Sequence, residues 1–361
     1  MPLPILRLFC LGFDGLAPTP QIAEWLHGGL GGTILFRRNL ADLDQIRRLT
    51  AALADAAGSP ALIGVDQEGG RVTRLPAPFL TLPPAAALGT LPDPAVVRRL
   101  SRAVGFELRA AGINWNLVPV LDLWTNPDNT VIGDRAFGRE PDRVARFGLA
   151  AIQGFQDAGV LTAAKHFPGH GDTVADSHLT LPVSLQSEDR WRDMELAPFR
   201  QAVAAGVPTV MVGHLSCPAL DPAAPSSLSR PIVTGILRQE LGFEGVVVSD
   251  DLEMQAILDT LDIGEAAVRF IEAGGDLILV CRHEDRQRAA ITAVDAAVRS
   301  GRIPEARLAV SLERIEQLLR RVPPRSPDPD LSIVGCSRHQ ALLTEAMDSL
   351  IARRQSPGDV A

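Results

Sequence analysis

Eight short apolar runs alternate with eight longer amphipathic segments along this chain, and few folds accommodate such a pattern. The runs, rich in Val, Ile and Leu, are Leu6–Gly12, Thr33–Phe36, Ala61–Val65, Ile113–Val120, Leu161–Ala164, Thr209–Val212, Gly245–Val248 and Asp276–Cys281. Helical spacing of apolar residues occupies roughly 19–28, 42–57, 93–111, 141–158, 188–206, 226–241, 264–274 and 284–300. A strand apolar on both faces must be covered on both, which a parallel sheet achieves with its crossover helices. Eight such units suit a closed ring, so the fold class read here is α/β, a (β/α)8 TIM barrel. An open doubly wound sheet is the structural alternative, because periodicity does not prove closure.

Length sets the domain organisation. A chain of 361 residues has room for two ordinary domains or for one large barrel. The expected division is a single catalytic barrel over residues 1–321, followed by a Pro-rich linker and a C-terminal helical tail over 322–361. The linker opens at Val322-Pro323-Pro324, and the tail helix is expected at about Ser337–Arg354. Two connections are long for a barrel, Arg74–Pro92 and Phe167–Ser187, and loops of that length are functional or disordered.

Composition narrows the partners. Lys and Arg total 35 against 43 Asp and Glu, a net charge of −8 without a basic stripe, so no nucleic-acid partner is expected. No run of apolar residues is long enough for a membrane helix, and Met1–Phe13 lacks a basic segment and a small-residue cleavage site. Cys10, Cys217, Cys281 and Cys336 are scattered, as reduced thiols of a cytoplasmic protein would be.

In a barrel of this kind the site forms where strands end at their C-terminal side. The first ionisable residues after the apolar runs are Asp66, Asp122, Lys165 with His166, His214, and Asp250 with Asp251. Charged groups are seldom buried without a partner, so five consecutive strands ending in them indicate an active site rather than a solvated rim. Asp250, closing a buried strand, suits a nucleophile or a stabiliser of a developing cation, and Asp251 suits capping or support. Asp176 and His178 are two apart in a long loop, a spacing at which the carboxylate can orient the imidazole for proton transfer. His166 and His170 would be a zinc pair on a helix, but Pro168, Gly169 and Gly171 argue against a helix there. For His170 a turn-capping role is at least as good a reading.

These residues stand in motifs that resemble glycoside hydrolase family 3, in particular its short, single-barrel β-N-acetylhexosaminidases. The motifs are Gly32 to Asn39 (GTILFRRN), Val65 to Arg74 (VDQEGGRVTR), Gly133-Asp134-Arg135, Lys165 to Thr173 (KHFPGHGDT), Asp176-Ser177-His178 and Ser249 to Leu252 (SDDL), in order over about residues 5–320. The resemblance implies a retaining two-step hydrolysis with Asp250 as nucleophile, His178 as general acid/base and Asp176 as its polarising partner. It implies that Asp66, Arg74, Arg135, Lys165 and His166 bind a terminal N-acetylglucosamine. Larger family members carry a second α/β domain, which in many β-glucosidases supplies the acid. Only about 40 residues follow the eighth helix and its neighbour, so the acid is expected from the barrel's own loop.

The expected function is therefore an exo-β-N-acetylglucosaminidase that trims muropeptides in cytoplasmic peptidoglycan recycling. Its partner would be a small carbohydrate; no metal, cofactor or membrane is expected, and the chain is expected as a monomer or weak dimer. Three alternatives stand beside it. Phosphate could replace water as the acceptor, because a neutral histidine acid/base repels it less than a carboxylate would. A metal-dependent hydrolase would use His166, His170 and Asp250, and a non-enzymatic barrel would only bind sugar.

Overall fold

A computed structural model of the chain describes residues 4–173, 180–326 and 328–355. Its strands are β1 Phe9–Leu11, β2 Gly32–Leu35, β3 Leu62–Val65, β4 Trp115–Asn116, β5 Leu161–Phe167, β6 Thr209–Val212, β7 Val246–Asp251 and β8 Leu277–Val280. They form one closed, parallel barrel in chain order, with β8 returning to pair Cys10 against Leu279 of β1's other neighbour. Strands β2, β3, β6 and β8 are buried along their whole length, as apolar runs covered on both faces require.

The helices follow from period and capping. In Leu43–Ala57, Ile46, Leu49, Thr50, Leu53 and Ala57 recur at turn spacing and are buried. Asp42 starts that helix by accepting from Gln45 N at 2.8 Å, which satisfies one of its unpaired first-turn donors. The same reasoning covers Ile263–Ala273, where Asp262 accepts from Glu265 N at 3.0 Å.

Four strands depart from the expected bounds by more than one residue at an end. Pro4 precedes a 3-10 turn over Ile5–Leu8, which delays β1 to Phe9. The fourth ladder is cut to Trp115–Asn116, because Val118 N turns back to Asn116 O and Pro119 has no N–H to donate. β5 and β7 run past their expected ends at Ala164 and Val248, to Phe167 and Asp251. Each extension contains an extra residue, for the register shifts between Ala164 and Phe167 and again between Val248 and Asp251.

The upper barrel is layered. Ile34 of β2, Leu117 just past β4, Met211 of β6 and Leu279 of β8 line the floor of one cavity, the alternate-strand layering of such barrels. Below them the Trp115 indole is fully buried and donates to Thr209 Oγ1 at 3.3 Å.

The long connection after β3 is ordered around buried Leu75, Phe79, Leu80, Leu82, Leu88 and Leu91, with a short helix at Ala85–Leu88. Beyond helix Glu305–Arg320 the chain forms a turn at Leu331–Ile333 and a helix at Ser337–Gln355. Val334, Ala346 and Leu350 of this extension join the main hydrophobic cluster. No helix among the described residues is long and apolar enough to cross a membrane.

Candidate active site

The two register shifts decide which side chains meet. In a regular strand successive side chains point to opposite faces, and an extra residue breaks that alternation. Accordingly Lys165 and His166, adjacent in β5, both line the cavity above the barrel floor, as do Asp250 and Asp251 in β7. The cavity holds about 210 Å³ and is lined also by Asp66, Glu68, Arg74, Arg135, His170 and Met254. Six of the expected site residues, Asp66, Arg74, Arg135, Lys165, His166 and Asp250, are thus brought together. Asp176 and His178 lie outside the described residues.

Charges alternate around the wall. Lys165 Nζ donates to Asp66 Oδ1 at 2.7 Å and lies 2.7 Å from Glu68 Oε1. Glu68 in turn receives a two-pronged bond from Arg135, Nε to Oε2 and Nη2 to Oε1, both 2.8 Å. Arg74 Nη2 is 3.9 Å from Asp66 Oδ2, its guanidinium 5.9 Å from the Phe36 ring centroid. Burial pushes the Glu68 carboxyl up, but the charges of Arg135 and Lys165 and their hydrogen bonds outweigh it and hold it well below the usual range. Burial pulls Lys165 down, and Asp66 and Glu68 more than restore it, so the ammonium stays charged.

His166 is fixed from both sides. Its Nδ1 lies 2.7 Å from Asp122 Oδ2, and its Nε2 lies 3.5 Å from Arg135 Nη2. The Asp122 carboxylate can only accept, so Nδ1 is the donor in that contact. Asp122, fully buried, also accepts from His170 N at 2.7 Å. Burial raises its carboxyl, and His166 and His170 overcome that and leave it below its ordinary value.

Asp250 is held lightly. Among the described residues its carboxylate takes one hydrogen bond, Asp251 N to Oδ1 at 2.8 Å. Burial drives its pKa up, but His166, His214, the Asp251 N–H and Lys165 outweigh burial and keep it below the ordinary value, hence ionised. Asp251 does the opposite: burial, with Glu253 and Asp250 nearby, raises it to about 7. Its Oδ1 accepts from Glu253 N at 3.0 Å and Cys281 N at 3.2 Å, which ties the end of β7 to the end of β8. His214 braces the same end, with Nε2 3.1 Å from Asp251 O and Nδ1 2.7 Å from Ser227 Oγ.

The described start of the segment after β5 packs against the loop after β4, where Asn129 Nδ2 donates to His170 O at 2.7 Å. Gly171 packs so closely on Leu123 that a Cβ would stand 1.6 Å from its carbonyl oxygen, which accounts for glycine there. His170 Nδ1 lies 2.6 Å from Thr173 Oγ1, and burial lowers its pKa to about 4, leaving it neutral. Its ring caps no backbone group among the described residues, so the turn-capping reading is not met; the ring lines the cavity instead. No cluster of three or more His, Cys, Asp or Glu suited to a metal ion occurs among the described residues.

One residue of this wall, Glu68, and one pairing behind it were not legible in the sequence. Glu68 stands behind Asp66 as the second carboxylate after its run, and nothing local marks Asp122 as the partner of His166. Buried Gln67 fastens the loop after β3: its Oε1 accepts from Arg74 N and Leu75 N at 2.9 and 3.2 Å.

The sequence model of the Glycosyl hydrolase family 3 N terminal domain matches residues 11–318. A β-hexosaminidase of Thiobacillus denitrificans is 42% identical over 262 residues, 71% of this chain and 72% of its own length. One from Stenotrophomonas maltophilia is 38% identical over 284 residues, covering 77% and 84%. Among solved structures, a family 3 β-N-acetylglucosaminidase from a Paenibacillus species superposes with a TM-score of 0.91 at 42% identity, over 97% of this chain and 68% of that one. The β-N-acetylhexosaminidase of Beutenbergia cavernae does so with 0.81 at 32% identity, over 88% and 97%.

Proposed function

Because the chain belongs to glycosyl hydrolase family 3, and is therefore a glycoside hydrolase, we propose that it is a retaining exo-β-N-acetylglucosaminidase. The observation that carries this is an ionised Asp250 in a small cavity whose wall alternates Asp66, Lys165, Glu68 and Arg135. A neutral sugar offers hydroxyl donors and acceptors around its ring, and a wall of alternating sign answers both. The cavity suits one terminal sugar rather than the middle of a chain, which favours exo cleavage. Asp66, Arg74, Arg135, Lys165 and His166 are assigned to that sugar. Arg74 Nε is buried with no partner among the described residues, a donor left for a ligand.

In the first step the Asp250 carboxylate attacks the anomeric carbon while the glycosidic C–O bond breaks. His178, oriented by Asp176, gives its proton to the departing oxygen. In the second step His178 takes a proton from water, which displaces Asp250 and leaves the sugar with its original anomeric configuration. The roles of His178 and Asp176 rest on the motif resemblance and on their two-residue spacing. We further assign the aglycone to cell-wall muropeptides in the cytoplasm, supported by that resemblance and by four cysteines that are all unpaired thiols.

Release of p-nitrophenol from the β-N-acetylglucosaminide but not the β-glucoside is the expected result. Asp250→Ala is expected to lose at least about a thousandfold in kcat while still binding N-acetylglucosamine; unchanged activity would refute the nucleophile. His178→Ala is expected to lose far more on poor leaving groups than on p-nitrophenol. Added phosphate is expected to give no sugar 1-phosphate, and its appearance would favour phosphorolysis.

A further inference from the structure

One buried carboxylate joins the C-terminal extension to the loop that lines the cavity. Glu107, on helix Ala95–Ala110, is 1% exposed, and three groups from outside its helix converge on it. Leu80 N donates to Oε2 at 2.7 Å, Gly335 N donates to Oε1 at 3.1 Å, and His339 Nδ1 lies 2.7 Å from Oε1. A carboxylate withdrawn from water needs its lone pairs filled, and these three fill them from two distant segments. Leu80 belongs to the connection after β3, while Gly335 and His339 belong to the extension. Gly335 secures the contact a second time: its φ is +65° and a Cβ there would stand 2.4 Å from Pro78 O.

From Leu80 the connection leads straight back to the cavity. Leu82 O accepts from Gly70 N at 2.8 Å, and Val72 O accepts from Glu68 N at 3.0 Å. Gln67 fastens Arg74 and Leu75 from inside. The stretch 66–74, with Asp66, Glu68 and Arg74, is therefore clamped between the cavity on one side and a wall backed by the extension on the other.

We propose that Glu107 and His339 are positioning residues for substrate binding: through this pair the C-terminal extension holds the β3 loop where Asp66, Glu68 and Arg74 meet the sugar. The proposal rests on the assignment of Asp66 and Arg74 to the sugar made above. Neither Glu107 nor His339 touches substrate, and neither takes part in the bond-breaking steps. A loosened loop should weaken sugar binding and spare the chemistry at Asp250, whereas a merely structural pair would lower stability alone.

The test compares His339→Ala, His339→Asn, whose amide nitrogen can replace the Nδ1 donor, and Asp66→Asn as a control on the loop. KM and kcat on p-nitrophenyl β-N-acetylglucosaminide, Kd for free N-acetylglucosamine by calorimetry, and the thermal midpoint are measured for each. H339A is expected to raise KM and Kd about threefold to tenfold with kcat within about twofold, and H339N to restore both. A folded H339A with wild-type KM and Kd, beside a D66N that binds sugar poorly, overturns the proposal and leaves the sugar site standing. A D66N with wild-type Kd overturns the sugar assignment and the proposal with it. If H339A fails to fold, Glu107→Gln, equal in volume, takes its place, and an unchanged KM there is equally fatal.

Discussion

At the scale of residues, Lys165 and Arg135 in the cavity wall each face a carboxylate, while Asp250 is left facing the cavity with one backbone bond among the described residues. Arg135 depends on its planar fork, which serves both Glu68 oxygens. Arg135→Lys keeps the charge and loses the fork, so kcat/KM on the β-N-acetylglucosaminide is expected to fall about tenfold to a hundredfold; a change under twofold would show the fork to be dispensable. Glu195, outside the cavity, is paired only weakly, with Arg190 Nη2 3.5 Å from its Oε1. It is 1% exposed, its Oε2 has no partner among the described residues, and burial, helped by Asp172 and Asp122 against Arg190, raises it to about 7. A carboxyl raised in the folded state contributes stability below its ordinary pKa, and that contribution is lost as pH climbs to about 7. Glu195→Gln is therefore expected to gain roughly 2–3 kcal/mol over wild type near pH 8 and little at pH 4. Urea unfolding at both pH values measures this, and an equal effect at both would refute it. Asp66, Lys165, His166 and Asp250 were legible because each ends an apolar run. Arg74 and Arg135 were legible only through the motif resemblance, since nothing local marks an arginine in a loop as inward-facing.

At the scale of elements, the eight runs and their helices were legible because burial on both faces leaves an apolar signature and a covering helix leaves a 3.6-residue one. The ends of β5 and β7 were not. Polar residues interrupt them, Lys165 and His166 in β5 and Ser249 to Asp251 in β7, so an apolar run stops short, yet the ladder continues through the irregularities that turn Lys165–His166 and Asp250–Asp251 into the cavity. Function sits where the patterning is broken. The opposite end of β8 shows the reverse. Asp276, fully buried just before the strand, gathers Arg238, Arg307 and Arg314, and accepts from Ser311 Oγ at 2.7 Å and Val247 N at 3.0 Å. These arginines come from helices Pro231–Glu240 and Glu305–Arg320, so one carboxylate fastens two helices to the barrel's lower rim. Asp276→Asn leaves three guanidinium groups without a counter-charge and is expected to cost about 3–5 kcal/mol in urea unfolding. A loss under 1 kcal/mol would mean that the backbone carbonyls bonded to Arg238 and Arg307 hold the rim without it.

At the scale of the molecule, the charges that fasten the barrel and those proposed to react occupy opposite ends of the strand ring. Asp276 stands at the N-terminal end of β8, while Asp250 and the cavity stand at the C-terminal ends of the ring. A strand of four residues spans roughly 13 Å, and the apolar layer of Ile34, Leu117, Met211 and Leu279 lies in that interval. Charges so separated by packed side chains share no partner, and effects at sites more than about 7–10 Å apart add to within about 0.5 kcal/mol. The consequence is a double-mutant cycle with no coupling. Asp276→Asn should lower stability and leave kcat per folded molecule within about twofold, while Asp250→Asn should abolish turnover with a much smaller effect on unfolding. The stability loss of the double variant should equal the sum of the single losses. A coupling above about 1 kcal/mol would mean that the barrel transmits strain from rim to site. In that case the cavity's geometry would depend on the arginine cluster below it as well as on the loops above.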